Sequence, residues 1–132
     1  MRYMYTAVFS SNEDQTKYYA RIPDLPGCIT TGHTLQDAID QITDAASGWL
    51  VVAEDEGMEI PPARPQAEVA HEDNDIFSLI RVDTIAYRAM TDTRAVRKNV
   101  SLPAWMAELA DKRGLNRSQI LQESLRQRFS VQ

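Results

Sequence analysis

Polar and apolar residues alternate from Tyr3 to Ser10, with Tyr3, Tyr5, Ala7 and Phe9 on one side and Met4, Thr6, Val8 and Ser10 on the other. That is the period of a pleated strand. Ser11 to Gln15 is a polar turn. A second β-rich run, Tyr18 to Ile22, stops at Pro23, and Pro26 and Gly27 punctuate the chain before a third run, Cys28 to Thr31. Three short runs in succession predict an antiparallel meander. The period then changes. Leu35, Ala38, Ile39, Ile42, Ala45, Ala46, Trp49, Leu50 and Ala53 recur at helical spacing. Thr34 is an N-cap with Asp37 at the capping-box position, and Gly57 is a terminator. Asp37, Asp40, Gln41, Asp44 and Ser47 fall on the opposite, solvated side, so this helix covers one face of the sheet and supplies most of the core.

Residues 58–75 hold Pro61, Pro62 and Pro65 among Glu59, Glu68, Glu72, Asp73 and Asp75, a composition that predicts a solvated, irregular excursion. A β-rich run returns from Ile76 to Val82 and rejoins the sheet, giving the order β-β-β-α-β of an α+β module. Thr84 to Met90 predicts one short helical turn, and Thr91 to Thr93 a linker.

Near the C-terminal end the pattern is strand, helix, helix. Val96, Val100 and Leu102 alternate with Arg97, Asn99 and Ser101, and Lys98 interrupts the apolar side. Pro103 opens a helix whose apolar face is Trp105, Met106, Leu109 and Ala110, and Gly114 stops it. Asn116 caps the next helix, with Gln119 at its capping-box position and Ile120, Leu121, Ser124, Leu125 and Phe129 on one side. One strand has nothing to pair with, and so short a segment buries too little apolar surface alone. It requires a second copy.

Charge divides the chain at the same place. The formal charge of −5 over 132 residues conceals 6 basic and 16 acidic side chains in residues 1–93, against 8 basic and 3 acidic in residues 94–132. A basic segment suited to nucleic acid thus follows an acidic body that would repel it, which excludes a uniformly basic nucleic-acid binder. At 43% hydrophobic and 25% charged the chain is of globular composition. Its single cysteine, Cys28, excludes an internal disulfide and reads as a small buried apolar group. With no cleavable leader pattern at Met1–Tyr5 and too short an apolar run at Trp49–Ala53 to span a bilayer, a cytoplasmic protein is expected.

Nothing in the acidic part points to catalysis. The first strand carries no acid, the helix acids lie on the solvated side, and His33 and His71 lack partners at metal-binding spacing. No G-x-S-x-G elbow occurs. Neither an enzymatic reaction nor a cofactor or metal is expected.

The run Pro23, Asp24, Leu25, Pro26, Gly27, Cys28, followed by Thr30, Gly32, Thr34 and Ala38, resembles the signature of HicB-type antitoxins, with a departure at His33. The resemblance covers residues 3–57 and extends more weakly to Asp83. It implies a degenerate RNase H-like domain that binds and silences a small basic HicA-type toxin, an RNA-cleaving protein. An acidic surface suits such a partner, because charge complementarity speeds encounter. Asp24 has two readings: it bonds the local backbone, or it points at the toxin. For Pro23, Pro26, Gly27 and Cys28 a tight turn is sufficient reason.

Residues 95–129, with V-S-L-P and then G-L-N-R-S, resemble the ribbon-helix-helix repressors. The resemblance implies a β-α-α homodimer whose two-stranded ribbon enters the major groove of operator DNA, and higher oligomers built on that dimer. Arg97, Asn99 and Ser101 then read bases, since Arg matches guanine, Asn matches adenine and Ser serves either. Asn116, Arg117 and Ser118 at the second helix start, with Lys98, hold backbone phosphate. The expected organisation is a toxin-binding domain (1–83), a linker (84–94) and a DNA-binding domain (95–132), acting together as an autorepressing antitoxin. The rival readings are an orphan regulator whose first domain binds another protein or ligand, and, more distantly, a nuclease with a residual RNase H-like site.

Overall fold

The structure is a computed structural model that describes residues 1–130; Val131 and Gln132, the end of the expected DNA-binding domain, lie outside the described residues. It divides into two compact units, Arg2–Arg88 and Ala89–Gln132, the latter with Met1.

In the first unit β1 (Arg2–Ser11), β2 (Tyr18–Arg21), β3 (Ile29–Gly32) and β4 (Ile76–Asp83) form one sheet in the order β3-β2-β1-β4, every neighbour antiparallel. The meander, and the return of the last run to the sheet, are those the hydrophobic pattern predicts; its place beside β1 is set by the tertiary structure. Between β2 and β3 two β-turns run back to back. Leu25 N–H donates to Ile22 O (3.0 Å) and Cys28 N–H to Leu25 O (3.1 Å), which places Pro23 and Pro26 at the second position of each turn. Gly27 follows Pro26 with φ 80°, a conformation only glycine adopts without strain. The double turn drives Leu25 into the core, where it is fully buried.

Helix α1 (Leu35–Glu56) begins at Thr34, whose hydroxyl accepts from Asp37 N–H (3.0 Å), while the Asp37 carboxylate accepts from His33 N–H (3.0 Å). It ends at Gly57 in the left-handed conformation. Ala38, Ile42, Ala46 and Leu50 are fully buried against Tyr5, Ala7, Phe9, Ala20, Ile80 and Val82 of the sheet. The end of β3 lies close against the start of α1 at Gly32, where an added Cβ would lie 2.4 Å from Ala38 N. Only glycine fits there.

The strand alternation does not anticipate that β1 is buried on both faces. Thr6 and Val8, opposite the helix-facing set, are also inaccessible. The cause lies in residues 58–75, which are irregular apart from a short 3₁₀ turn at Gln66–Glu68 and mostly solvent-exposed, as their composition predicts, but are anchored to the sheet at several points. Ile60 packs on the helix-side core and Pro61 O accepts from Tyr5 hydroxyl (2.6 Å). Further on Val69 is buried, Ala70 O accepts from Arg21 (3.0 Å), Asp75 pairs with Arg21 (3.9 Å), and His71 stacks edge-on against Phe77 (4.5 Å). Arg21 and Phe77 are both cross-strand partners of Val8, so they share its face. The segment therefore covers the Val8–Arg21–Phe77 end of the face that α1 leaves open, while Met4, Tyr19 and Leu79 on that face stay exposed.

A second difference follows β4. In place of one short turn, α2 (Thr84–Thr91) is a full helix. Asp83 caps it, its carboxylate accepting from the N–H groups of Ile85 and Ala86 (3.1 Å each). Arg88 then bonds Glu54 (3.2 Å) and Asp55 (2.8 Å) of α1.

The second unit holds α3 (Ala104–Lys112) and α4 (Arg117–Ser130). Pro103 precedes α3, Gly114 (φ 63°) follows it, and Leu115 N–H closes back on Ala110 O (3.0 Å). Asn116 caps α4 through Gln119 N–H (3.1 Å), as its position predicts. The expected strand at 96–102 is not a strand in the single chain, because residues 92–103 pair with no other segment. A ladder needs two strands, and one copy supplies one.

Candidate functional site

Two regions carry the residues singled out by sequence. The first is the double turn. The Asp24 side chain is 4% exposed and takes its backbone bond from Arg64 N–H (2.9 Å), with the Arg64 guanidinium paired to its other oxygen. The carboxylate is thus directed at a residue 40 positions away, and it fastens the 58–75 segment to the turn. Arg64 escaped the sequence reading. It is the one basic residue among 58–75, and that isolation was the available signal. The Trp49 indole donates to Pro26 O (3.0 Å), tying the same turn to α1. Cys28 is buried beside it, and burial pushes its thiol up to about 11, so it is an inert packing group.

A polar cluster also went unread. Glu54, near the end of α1, accepts from Tyr3 hydroxyl (2.7 Å), Thr84 hydroxyl (3.0 Å) and Arg88 (3.2 Å). Burial alone would raise its pKa, but these three donors outweigh it and hold the carboxyl below its ordinary value. Burial, reinforced by the Glu54 bond, raises the Tyr3 hydroxyl to about 12. The cluster joins β1, α1 and α2, three elements far apart in the chain, so local pattern could not reveal it.

The second region is the C-terminal unit, in which none of the described residues is buried. Val96 is 76% and Trp105 64% exposed, and Val100, Leu102, Met106, Leu109, Leu115, Ile120, Leu121, Leu125 and Phe129 all face solvent. Val100, Leu102, Met106, Leu115, Ile120 and Leu121 line a single groove of 700 Å³ between the extended segment and the two helices. Lys98, Asn99, Arg117 and Ser118 line it too, so the structure brings together part of the expected DNA-contacting set. Arg97 and Ser101 are exposed and lie outside that lining, and Asn116 is engaged as the α4 cap. Arg117 forms an exposed ion pair with Asp111 (3.6 Å).

Among the described residues no group of three or more His, Cys, Asp or Glu could hold a metal ion, and no helix is long and apolar enough to cross a membrane.

The fold is one already seen in solved structures. A chain of a toxin–antitoxin complex from Streptococcus pneumoniae matches with TM-score 0.60 and 19% identity, over 97% of this chain and 99% of that one. The antitoxin HicB of Burkholderia pseudomallei matches with TM-score 0.54 and 20% identity, over 96% of both chains. The antitoxin HicB3 matches with TM-score 0.51 and 22% identity, over 96% of this chain and 97% of that one. A search of curated protein sequences finds no significant match. The sequence model described as HicB_like antitoxin of bacterial toxin-antitoxin system matches residues 5–124, across both units. That span takes in the double turn, the sheet, α1 to α3 and most of α4, and the chain belongs to the HicB-like antitoxins of bacterial toxin–antitoxin systems.

Proposed function

We propose that this antitoxin binds and silences a small basic HicA-type, RNA-cleaving toxin through its acidic unit and represses its own operon through a ribbon-helix-helix dimer. The carrying observation is the unclosed core of the C-terminal unit. Two helices and an unpaired alternating segment leave an apolar groove open within the described residues of the unit. A two-fold mate fills it by pairing Val96–Leu102 with its own copy, which makes the ladder and covers the helix faces in one step. Higher oligomers assemble from that dimer. The first unit is a degenerate RNase H-like domain, with no reaction assigned to it.

In the dimer the outer side of the ribbon presents Arg97, Asn99 and Ser101 twice to the major groove, where they read base edges. Lys98 and the α4 start, with Asn116, Arg117 and Ser118, hold phosphates and set the register. Asp24 serves toxin binding by fixing the double turn through Arg64. Two experiments test the reading. Co-expression with the product of the adjacent gene should copurify a short basic protein; failure to do so favours a regulator that binds something else. Operator binding should lose about 1–3 kcal/mol at specific base pairs in Arg97→Ala and Asn99→Ala. Unchanged base discrimination in both variants rejects the readout.

A further inference from the structure

The proposed toxin-binding role leaves open where on the acidic unit the toxin sits. Most apolar side chains of that unit are consumed by the core, yet several large ones remain exposed, and apart from Ile76 at the start of β4 they fall in two places. One is a groove of 430 Å³ along the free edge of the sheet, between the double turn, the outer side of α1 and the first turns of α2. Its lining includes Ile29 (67% exposed), Val52 (51%), Met58 (48%), the half-buried Trp49, Asp44 and Tyr87. Aromatic and Met side chains clustered in a shallow concavity are the composition of an interface centre. The walls are already braced, because Trp49 is bonded to Pro26 O and the Tyr87 hydroxyl to the Asp44 carboxylate. A preorganised wall loses little freedom when a partner docks.

The charge around the groove selects the partner. Asp44 lines it, Asp40 stands one turn earlier on the same side of α1, and Glu56 and Glu59 flank Val52 and Met58. No basic residue is among the described residues lining it. Elsewhere in the unit Arg2, Arg21, Arg64 and Arg88 are held in ion pairs. The second exposed patch, Met4, Tyr19 and Leu79 on the outer sheet face, is different in kind. Arg81 is paired opposite Met4, and the Lys17 ammonium lies over the Tyr19 ring (5.3 Å), so that patch presents cations.

The geometry points to the groove beside the double turn as the docking site of the toxin, taking a basic segment that inserts an apolar side chain against Trp49 and Val52 and lays a Lys or Arg beside Asp44. The inference rests on the toxin-binding reading and sharpens it to a surface. It also gives the Pro-Asp-Leu-Pro-Gly-Cys run a role beyond its turn, since Gly27 and Cys28 form one wall.

The test uses the full chain and the short basic toxin that copurifies with it, with binding measured by calorimetry and by association rate. Ile29→Glu and Val52→Glu should each weaken toxin binding on the order of 30-fold or more. Asp44→Lys should slow association about tenfold at low salt, with the difference shrinking as salt rises. Leu79→Glu should stay within about twofold of the parent, as a surface change outside an interface does. Unchanged melting curves and operator affinity show that the variants are folded. Weakening by Leu79→Glu with groove variants unaffected overturns the assignment in favour of the outer sheet face. Groove variants that alter oligomeric state or operator affinity while toxin binding is intact overturn it in favour of another copy of the chain. A parent chain that binds no toxin at all rejects the functional reading itself, which separates that failure from failure of the surface.

Discussion

The two units begin from equally clear amphipathic patterns and end in opposite states. In Arg2–Arg88 the stripe of α1 finds a four-stranded sheet, and Ala38, Ile42, Ala46 and Leu50 disappear from solvent. In the C-terminal unit α4 is capped by Asn116 and α3 opens after Pro103 with no side-chain cap, and Leu109, Ile120, Leu121, Leu125 and Phe129 stay exposed. An apolar stripe specifies that a helix must pack, not what it packs against. Where the sheet is present in the same chain, the unit closes. Where no sheet is present the stripes stay open, and on the proposed reading a second copy closes them. The charge contrast follows the same boundary, so the unit with a finished core is the acidic one and the unfinished one is basic.

The strongest way to break this contrast is to make the open stripe polar. Leu125→Asp should abolish dimer formation in sedimentation, cost the C-terminal unit most of its helical circular dichroism and eliminate operator binding, since a buried unpaired carboxylate costs about 3 kcal/mol or more. A variant that remains dimeric with full helicity would show that the stripe is not the dimer core. In the closed unit, Leu25→Ala should destabilise by about 2–5 kcal/mol in urea unfolding, because the side chain the double turn inserts is fully buried. The same variant should leave dimerisation intact, and a coupled loss would mean that the units do not fold separately.

Smaller effects sharpen the picture at the α1–α2 junction. Glu54 is more acidic folded than unfolded, so its contribution is complete above its ordinary pKa and is lost as pH falls through the folded value. Glu54→Gln should therefore cost about 1–2 kcal/mol near neutral pH. That difference should shrink towards zero in acid melts, and a pH-independent cost would reject the assignment. Least of all, the Cys28 thiol, raised to about 11 by burial, should resist maleimide at pH 8 in the native chain and react only after unfolding. Rapid native labelling would show that the double turn opens.

Much of this was legible in the residues. Thr34 and Asp37 mark the start of α1, and Gly57 its end. Pro23, Pro26 and Gly27 mark turns, and the double turn realises them. Asn116 marks the start of α4. These are signals in which the residue and the backbone it serves lie within a few positions. What escaped has long reach: Asp24 with Arg64, Glu54 with Tyr3, Thr84 and Arg88, and the folding of 58–75 over Val8. An acidic, proline-rich stretch looks solvated until the sheet face beneath it exists.

The sequence by itself determined the elements, their order, the caps and the division of charge, because periodicity, turn residues and capping side chains act locally. Only the tertiary structure decided that the middle of β1 is covered on both faces, that Asp24 serves Arg64, and that a groove of apolar and acidic side chains lies open beside the double turn. Those depend on which surfaces meet once the chain has folded back on itself. Residues 96–102 carry the alternation of a strand but pair with no other described segment, and a ladder forms only between two strands.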